Sequence, residues 1–313
     1  FGAEQLPWFW PNYGPGIMAS VFGVTPKFQS DTVWFSRPTP PKNIVNHLES
    51  VELNKNNEWY DRLMRCTEYV AKELGKDYSI ALTDLGGILD ILSSFLGPKE
   101  LILTMRRNPS IIDECRVIIL EKTMIVYDKL QSIIETYSDG CNSWIPIWCP
   151  KRYYPIQCDF AAMLSPKYFN RFALPDIKAQ AESLDYSIYH MDGPNQIPHL
   201  EALLGEPSIT CIQWVPGAGE KPADNEKWMS LYRKIQTAGK NLVIDNPLEV
   251  SLSATQLYKK LDPNGLYMVA AYISEIQAKF YLPDFIDGNY GEGDFRKFKR
   301  KYKKELRNRS RTS

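Results

Sequence analysis

The sequence predicts an α/β fold of the (β/α)8 (TIM) barrel class, with an irregular aromatic N-terminal segment. Three observations carry this. Short apolar strand-like runs alternate with helical patterns for most of the length, which is the signature of a parallel sheet covered on both faces. The chain has 313 residues, enough for a barrel of about 250. The patterns GxGxxG, GxxxxGK[ST] and GxSxG are absent, which disfavours a nucleotide-binding doubly wound sheet or an α/β-hydrolase. Eight strands are reached only by counting weak runs near Val33 and Trp144.

Taken in order, residues 1–42 are rich in Trp, Phe, Pro and Gly (LPWFWPNYGPG, FSRPTPPK). This composition predicts a packed wrap of loops, with Thr32–Phe35 as a short strand. Trp8, Trp10 and Tyr13 are alternatively cleft-lining residues. Glu58–Leu74 has helical apolar spacing and Gly75 as its stop. A strand over Tyr78–Leu82 then delivers Thr83-Asp84-Leu85-Gly86-Gly87, with a helix from about Ile88. Asp84 there either faces a cleft or caps that helix.

Pro109–Tyr137 reads as one long helix closed by Asp139-Gly140. Strands follow at Ser143–Trp148 and Pro155–Phe160. Ser165-Pro166 opens a helix with Ser at the cap and Pro in the first turn, and Pro175 begins another to about Ser183. Further on, Glu226–Ala238, Ser253–Leu261 and Ser274–Tyr281 read as helices, and Leu242–Asp245 and Leu266–Ala271 as strands. The expected division is a wrap and first barrel elements over 1–76, the barrel body over 77–285, and a basic tail over 286–313.

The stretch Tyr186–Gly219 organises the rest. A strand ends in His190-Met191-Asp192-Gly193, a helix spans Ile197–Leu204, and a second strand covers Ile209–Val215. Parallel strands joined by a helix put their C-terminal ends on one edge. His190 and Asp192 are therefore expected beside Gln213 and Trp214, on the rim where α/β folds do their chemistry. The loop VPGAGEKP (Val215–Pro222) would complete it, and Tyr153, Tyr154, Tyr189 and Tyr272 are candidate hydroxyl donors.

Composition narrows the partners. Lys plus Arg equals Asp plus Glu at 37 each, so no overall field draws the chain to nucleic acid or a membrane. The tail from Asp294 carries ten cations against two acids, which reads as a solvated extension or a docking strip for a membrane surface or acidic partner. No recognition fold for nucleic acid accompanies it. No run approaches the ~20 apolar residues of a transmembrane helix, and no signal peptide pattern opens the chain. Six cysteines, Cys66, Cys115, Cys141, Cys149, Cys158 and Cys211, are scattered without CxxC, so a reducing, cytoplasmic setting is expected.

Two segments resemble a known family. CDFAAMLSPKYFNRFALPDIKAQ (Cys158–Gln180) is similar to the strand-and-helix block of uroporphyrinogen decarboxylases, where Ser-Pro opens a helix that Phe-x-x-Phe-x-Leu-Pro ends. SIALTDLGGILDILSSFLG (Ser79–Gly97) resembles that family's aspartate-bearing stretch, with Asp84 on the aspartate. The wider superfamily includes zinc-dependent methyltransferases serving corrinoid proteins and coenzyme M, and their His-x-Cys motif falls on His190-Met191-Asp192. The resemblance implies a TIM barrel, a catalytic centre at His190 and Asp192 with Asp84, a homodimer, and zinc with a corrinoid on a partner protein.

The departures bear on the reaction. No Arg-Gln-Ala-Gly-Arg stretch lies between Phe1 and Asp84 to clamp a porphyrinogen's carboxylates, and no Cys follows Cys211. A lone strand-end histidine is as a rule a hydrogen-bonded structural residue; the resemblance moves His190 towards ligation. His190 and Asp192 share one strand face and could hold Zn²⁺ with a further ligand from Cys158, Asp159 or Asp245. Asp159, Gln213, Trp214 and Tyr272 would contact substrate. Three functions are expected in turn: metal-assisted methyl transfer between a corrinoid protein and a small-molecule donor or thiol acceptor; cofactor-independent decarboxylation of a carboxylated substrate; and a non-catalytic corrinoid- or tetrapyrrole-binding barrel.

Overall fold

The structure, a computed structural model, describes residues 7–30, 32–36, 39–246 and 260–270. The chain divides into two compact units, Gln5–Gln213 and Trp214–Ser313.

The first unit opens with strand β1 (Trp8–Phe9), helix α1 (Met18–Val21) and strands β2 (Pro26–Phe28) and β3 (Val33–Phe35). β2 and β3 pair antiparallel, with Phe28 opposite Val33. The run at Val33 is thus one arm of a hairpin, not a barrel strand, and its Trp34 is 64% exposed because no second layer covers it. The parallel neighbour comes from the aromatic wrap instead. Trp8 and Phe9 pair with Ser79 and Ile80 of β4 (Ser79–Ile80).

Between them lie α2 (Ile44–Glu49) and α3 (Glu58–Leu74). Asn57 caps α3 by accepting from the Tyr60 N–H at 3.1 Å, and Leu63, Thr67, Val70 and Ala71 form its buried face. Gly75 ends α3 in a right-handed conformation; it is required for space, since a Cβ there would lie 2.4 Å from the Ala71 carbonyl oxygen.

Helices α4 (Ile88–Leu96), α5 (Pro98–Arg107) and α6 (Pro109–Glu135) follow β4. α6 buries a stripe at helical spacing, Ile112, Cys115, Ile119, Val126, Leu130 and Ile134 among them. Arg116 lies on that stripe, and both arms of its guanidinium reach the Asp176 carboxyl at 2.7 and 2.8 Å. On another side of α6, the Lys122 ammonium donates to the carbonyls of Leu48, Glu49 and Val51, at and just beyond the end of α2.

The expected strand at Ser143–Trp148 is absent. Only Ala81 and Asn142 form a parallel bridge, and Cys141 an antiparallel one with Cys149, so Trp144 lies in irregular chain. β5 (Tyr153–Gln157) is buried throughout. After it come a 3-10 turn at Asp159–Met163, α7 (Pro166–Tyr168), a π-helical turn at Phe169–Ala173 and α8 (Leu174–Glu182). Two helices expected from Pro166 and Pro175 are one continuous path. Pro175 has no N–H for the Arg171 carbonyl, and the helix widens there without breaking.

β6 (Tyr186–Asp192) pairs parallel with β5, from Tyr153 opposite Tyr186 to Gln157 opposite His190. A 3-10 turn at Pro194–His199 and α9 (Leu200–Leu204) lead to β7 (Cys211–Val215), which runs beside β6.

In the second unit, a 3-10 turn at Glu226–Trp228 and α10 (Met229–Thr237) precede β8 (Asn241–Asn246), which pairs parallel with β9 (Leu266–Ala270). Trp214 packs edge-on against Trp228 with centroids 4.9 Å apart. Trp228 in turn donates to the carbonyls of Lys221 and Pro222, fixing the loop that follows β7. The helices expected at Ser253–Leu261 and Ser274–Tyr281 and the basic tail lie outside the described residues, apart from Lys260 and Leu261. The described chain is therefore a mixed α/β fold built on parallel strands. Among the described residues no helix is long and apolar enough to cross a membrane.

Candidate functional site

The parallel strands of the first unit end on one edge, and there the polar side chains gather. Along β6 burial alternates: Tyr189 and Met191 are covered, while His190 and Asp192 on the other face stay partly open. The 3-10 turn after β5 brings Asp159 to the same place. One carboxylate oxygen from each of Asp159 and Asp192 and one ring nitrogen of His190 lie within 4.8 Å of one another. Among the described residues no other three His, Cys, Asp or Glu side chains converge in this way.

His190 is held on two sides. Its Nδ1 is 2.6 Å from Oε1 of Gln213, a residue only 3% exposed. The Trp144 ring packs against the imidazole at 83° with centroids 5.1 Å apart.

Asp84 is buried where the chain leaves β4. Its Oδ1 accepts from the Gly86 N–H at 2.8 Å and from Gln157 Nε2 at 2.9 Å. Burial pushes the carboxyl up to about 6, and the Asp159 charge adds to this, while the two hydrogen bonds and the charge of His190 oppose it. Gly86 is left-handed at φ +82°, and a Cβ on it would lie 2.5 Å from Gly16 Cα. The N-terminal segment is thus pressed against the Asp84 loop, and the Ile17 N–H donates to the Asp84 carbonyl.

Asp90, on α4, accepts from the amides of Asp159 and Phe160 at 3.0 and 2.7 Å. It fixes the backbone that carries Asp159. Gly87 makes room for it, since a Cβ at that position would lie 2.1 Å from the Asp90 carboxyl. Burial, then the charge of Asp159, push Asp90 up to about 7. Neighbouring protein atoms raise Asp159 as well, and Asp192 raises it further while His190 lowers it. Because the Asp159 side chain is open to solvent, screening trims all of these effects.

The other sequence candidates are placed differently. Cys158 is buried and outside the converging trio, and burial, then Asp90 and Asp159, hold its thiol well above the ordinary cysteine value. Trp214 is wholly buried against Trp228 and presents no surface to a ligand. The Tyr154 hydroxyl bridges the Thr83 carbonyl and the Leu85 N–H, and Tyr189 donates to Gln196, so both are internal struts. Tyr272 lies outside the described residues, and for Asp245 only the backbone, in β8, is described. Sequence reasoning passed over Asp90, Gln157 and Trp144. The spacing Gly86-Gly87-x-x-Asp90 was the available signal for the first.

No protein-family model and no curated protein sequence matches the chain. Among solved structures, a methyltransferase from Methanosarcina mazei is similar in fold, with a TM-score of 0.61 at 13% sequence identity over 91% of this chain and 81% of that one.

Proposed function

We propose that the chain is a methyltransferase-like enzyme of the uroporphyrinogen decarboxylase superfamily, a (β/α)8 barrel that moves a methyl group between a corrinoid on a partner protein and a small thiol or alcohol. The observation that carries this is the convergence of Asp159, His190 and Asp192 at parallel strand ends. The donor set fits a divalent ion. Three protein ligands with a position left open is the pattern of catalytic zinc, although two carboxylates and one imidazole also suit harder ions. Such an ion, when bound, would lower the pKa of a thiol or alcohol brought to it.

The chain's own residues have distinct tasks in this account. Asp90 holds the Asp159 backbone in place through two amides. Asp84, oriented by Gln157 and Gly86 and titrating near 6, takes up the proton that the acceptor gives up. Trp144, edge-on to the His190 ring, sets its plane from one side. No disulfide joins any of the six cysteines, which supports a cytoplasmic setting.

The test is consumption of methylcobalamin in the presence of zinc and a panel of small thiols. Turnover that requires His190 and Asp192 supports the proposal; no turnover with any acceptor contradicts it. A second reading, metal-free decarboxylation, is favoured by Asp84, whose raised pKa would supply a proton to a carbanion. The charges acting most strongly on Asp84 and Asp159 are His190 and other carboxyls, a poor environment for a polyanionic substrate. Carbon dioxide release by the metal-free protein would favour that reading.

A further inference from the structure

The chain has three histidines, and their hydrogen bonds divide them. Nε2 of His47 lies 2.8 Å from the Phe22 carbonyl oxygen, and Nε2 of His199 lies 2.9 Å from that of Ala161. A carbonyl oxygen only accepts, so both rings carry their proton on Nε2. His190 is turned the other way: its Nδ1 faces Oε1 of Gln213 at 2.6 Å. An amide oxygen also only accepts, so with this end of the Gln213 amide towards it the ring would carry its proton on Nδ1 and keep its lone pair on Nε2.

We infer that Gln213 is a positioning residue, which holds His190 in the Nδ1–H tautomer and so offers Nε2 as the ligating or proton-accepting nitrogen. Gln213 suits the task because it is itself fixed. It is 3% exposed on β7, one strand over from His190, whose ring plane Trp144 sets from another side. A histidine that binds a metal through one nitrogen commonly donates through the other, and that partner fixes both its tautomer and its orientation. The inference departs from the expectation that Gln213 touches substrate, because its oxygen is already engaged. The functional consequence rests on the metal-site proposal; the tautomer does not.

The experiment is nitrogen-15 NMR of the histidine side chains at a pH of about 9, where imidazole is neutral, in wild type, Gln213→Leu and Gln213→Glu. Assignment uses His47→Gln and His199→Gln. Wild type is expected to show one Nδ1–H ring, His190, and two Nε2–H rings. Gln213→Leu should return His190 to Nε2–H while His47 and His199 keep their signals, which reports that the fold is intact. Gln213→Glu, which retains an acceptor, should keep Nδ1–H.

Zinc affinity is then measured on the same proteins, with an expected loss of about 10–100-fold in Gln213→Leu and retention in Gln213→Glu. An Nε2–H ring for His190 in wild type, or an unchanged tautomer in Gln213→Leu, overturns the inference. Should Gln213→Leu fail to fold, the wild-type tautomer alone decides. A wild type that binds no zinc but shows the Nδ1–H ring defeats the metal-site proposal and leaves the positioning role standing.

Discussion

Gln157 Nε2 donates to Asp84 Oδ1 across 2.9 Å, so the last residue of β5 orients the carboxyl that leaves β4. The bond holds the group in place without neutralising it. Asp84 is 7% exposed, has two neutral donors, and shares its surroundings with other carboxyls.

That arrangement makes stability depend on pH with a definite sign. The folded-state pKa, about 6, lies above the ordinary aspartate value, so between about pH 4 and pH 6 the folded state binds more protons than the unfolded state. The contribution of Asp84 is therefore most favourable below about pH 4, falls as pH rises through 6, and remains lost above it. Asp84→Asn keeps an oxygen for both donors and removes the charge. It should raise stability at pH 7 by about 1–3 kcal/mol and flatten the pH profile, as read by urea denaturation between pH 4.5 and 7.5, while activity falls. A variant less stable than wild type at pH 7 would show that the carboxylate has a compensating partner.

Asp90 joins structure to site. In Asp90→Ala the amides of Asp159 and Phe160 lose their acceptor; the first is exposed and the second partly buried, so the cost is that of lost hydrogen bonds, about 1 kcal/mol each. Asp159 should then be poorly placed, so zinc affinity is expected to fall although Asp90 is not a ligand. Unchanged affinity, measured by competition with a chelating dye, would show that the Asp159 backbone is held by other contacts.

Arg116 and Asp176 form a buried bidentate pair between α6 and α8. Arg116→Met strands the Asp176 carboxylate and should destabilise by about 3–5 kcal/mol. Arg116→Met with Asp176→Leu should recover most of that, because apolar residues of similar volume replace a buried pair at little net cost. A denaturant-based double-mutant cycle measures both, and a double variant no better than the single would show that the loss lies in packing.

The legible parts were those with long-range pattern. Glu58–Leu74 announced itself by its apolar face and cap, and His190 and Asp192 by their spacing of two on a strand. β1 is hidden because a two-residue strand cannot show an alternation, and Val33–Phe35 reads as a barrel strand because Val-Trp-Phe has strand propensity in a hairpin as much as in a barrel. Gln213 and Trp214 are adjacent on β7 and face opposite sides, so Gln213 meets His190 while Trp214 packs on Trp228. Asp90 escaped notice because its partners are backbone amides 69 and 70 residues away, a relation that no local pattern records.

The most direct test of the central proposal is metal content by elemental mass spectrometry on protein purified without chelators, comparing wild type with Asp159→Ala, His190→Ala and Asp192→Ala. About one zinc or other divalent ion per chain in wild type, lost in all three variants while circular dichroism is unchanged, is the expected result. No stoichiometric metal in wild type, and none taken up when zinc is added, would contradict it.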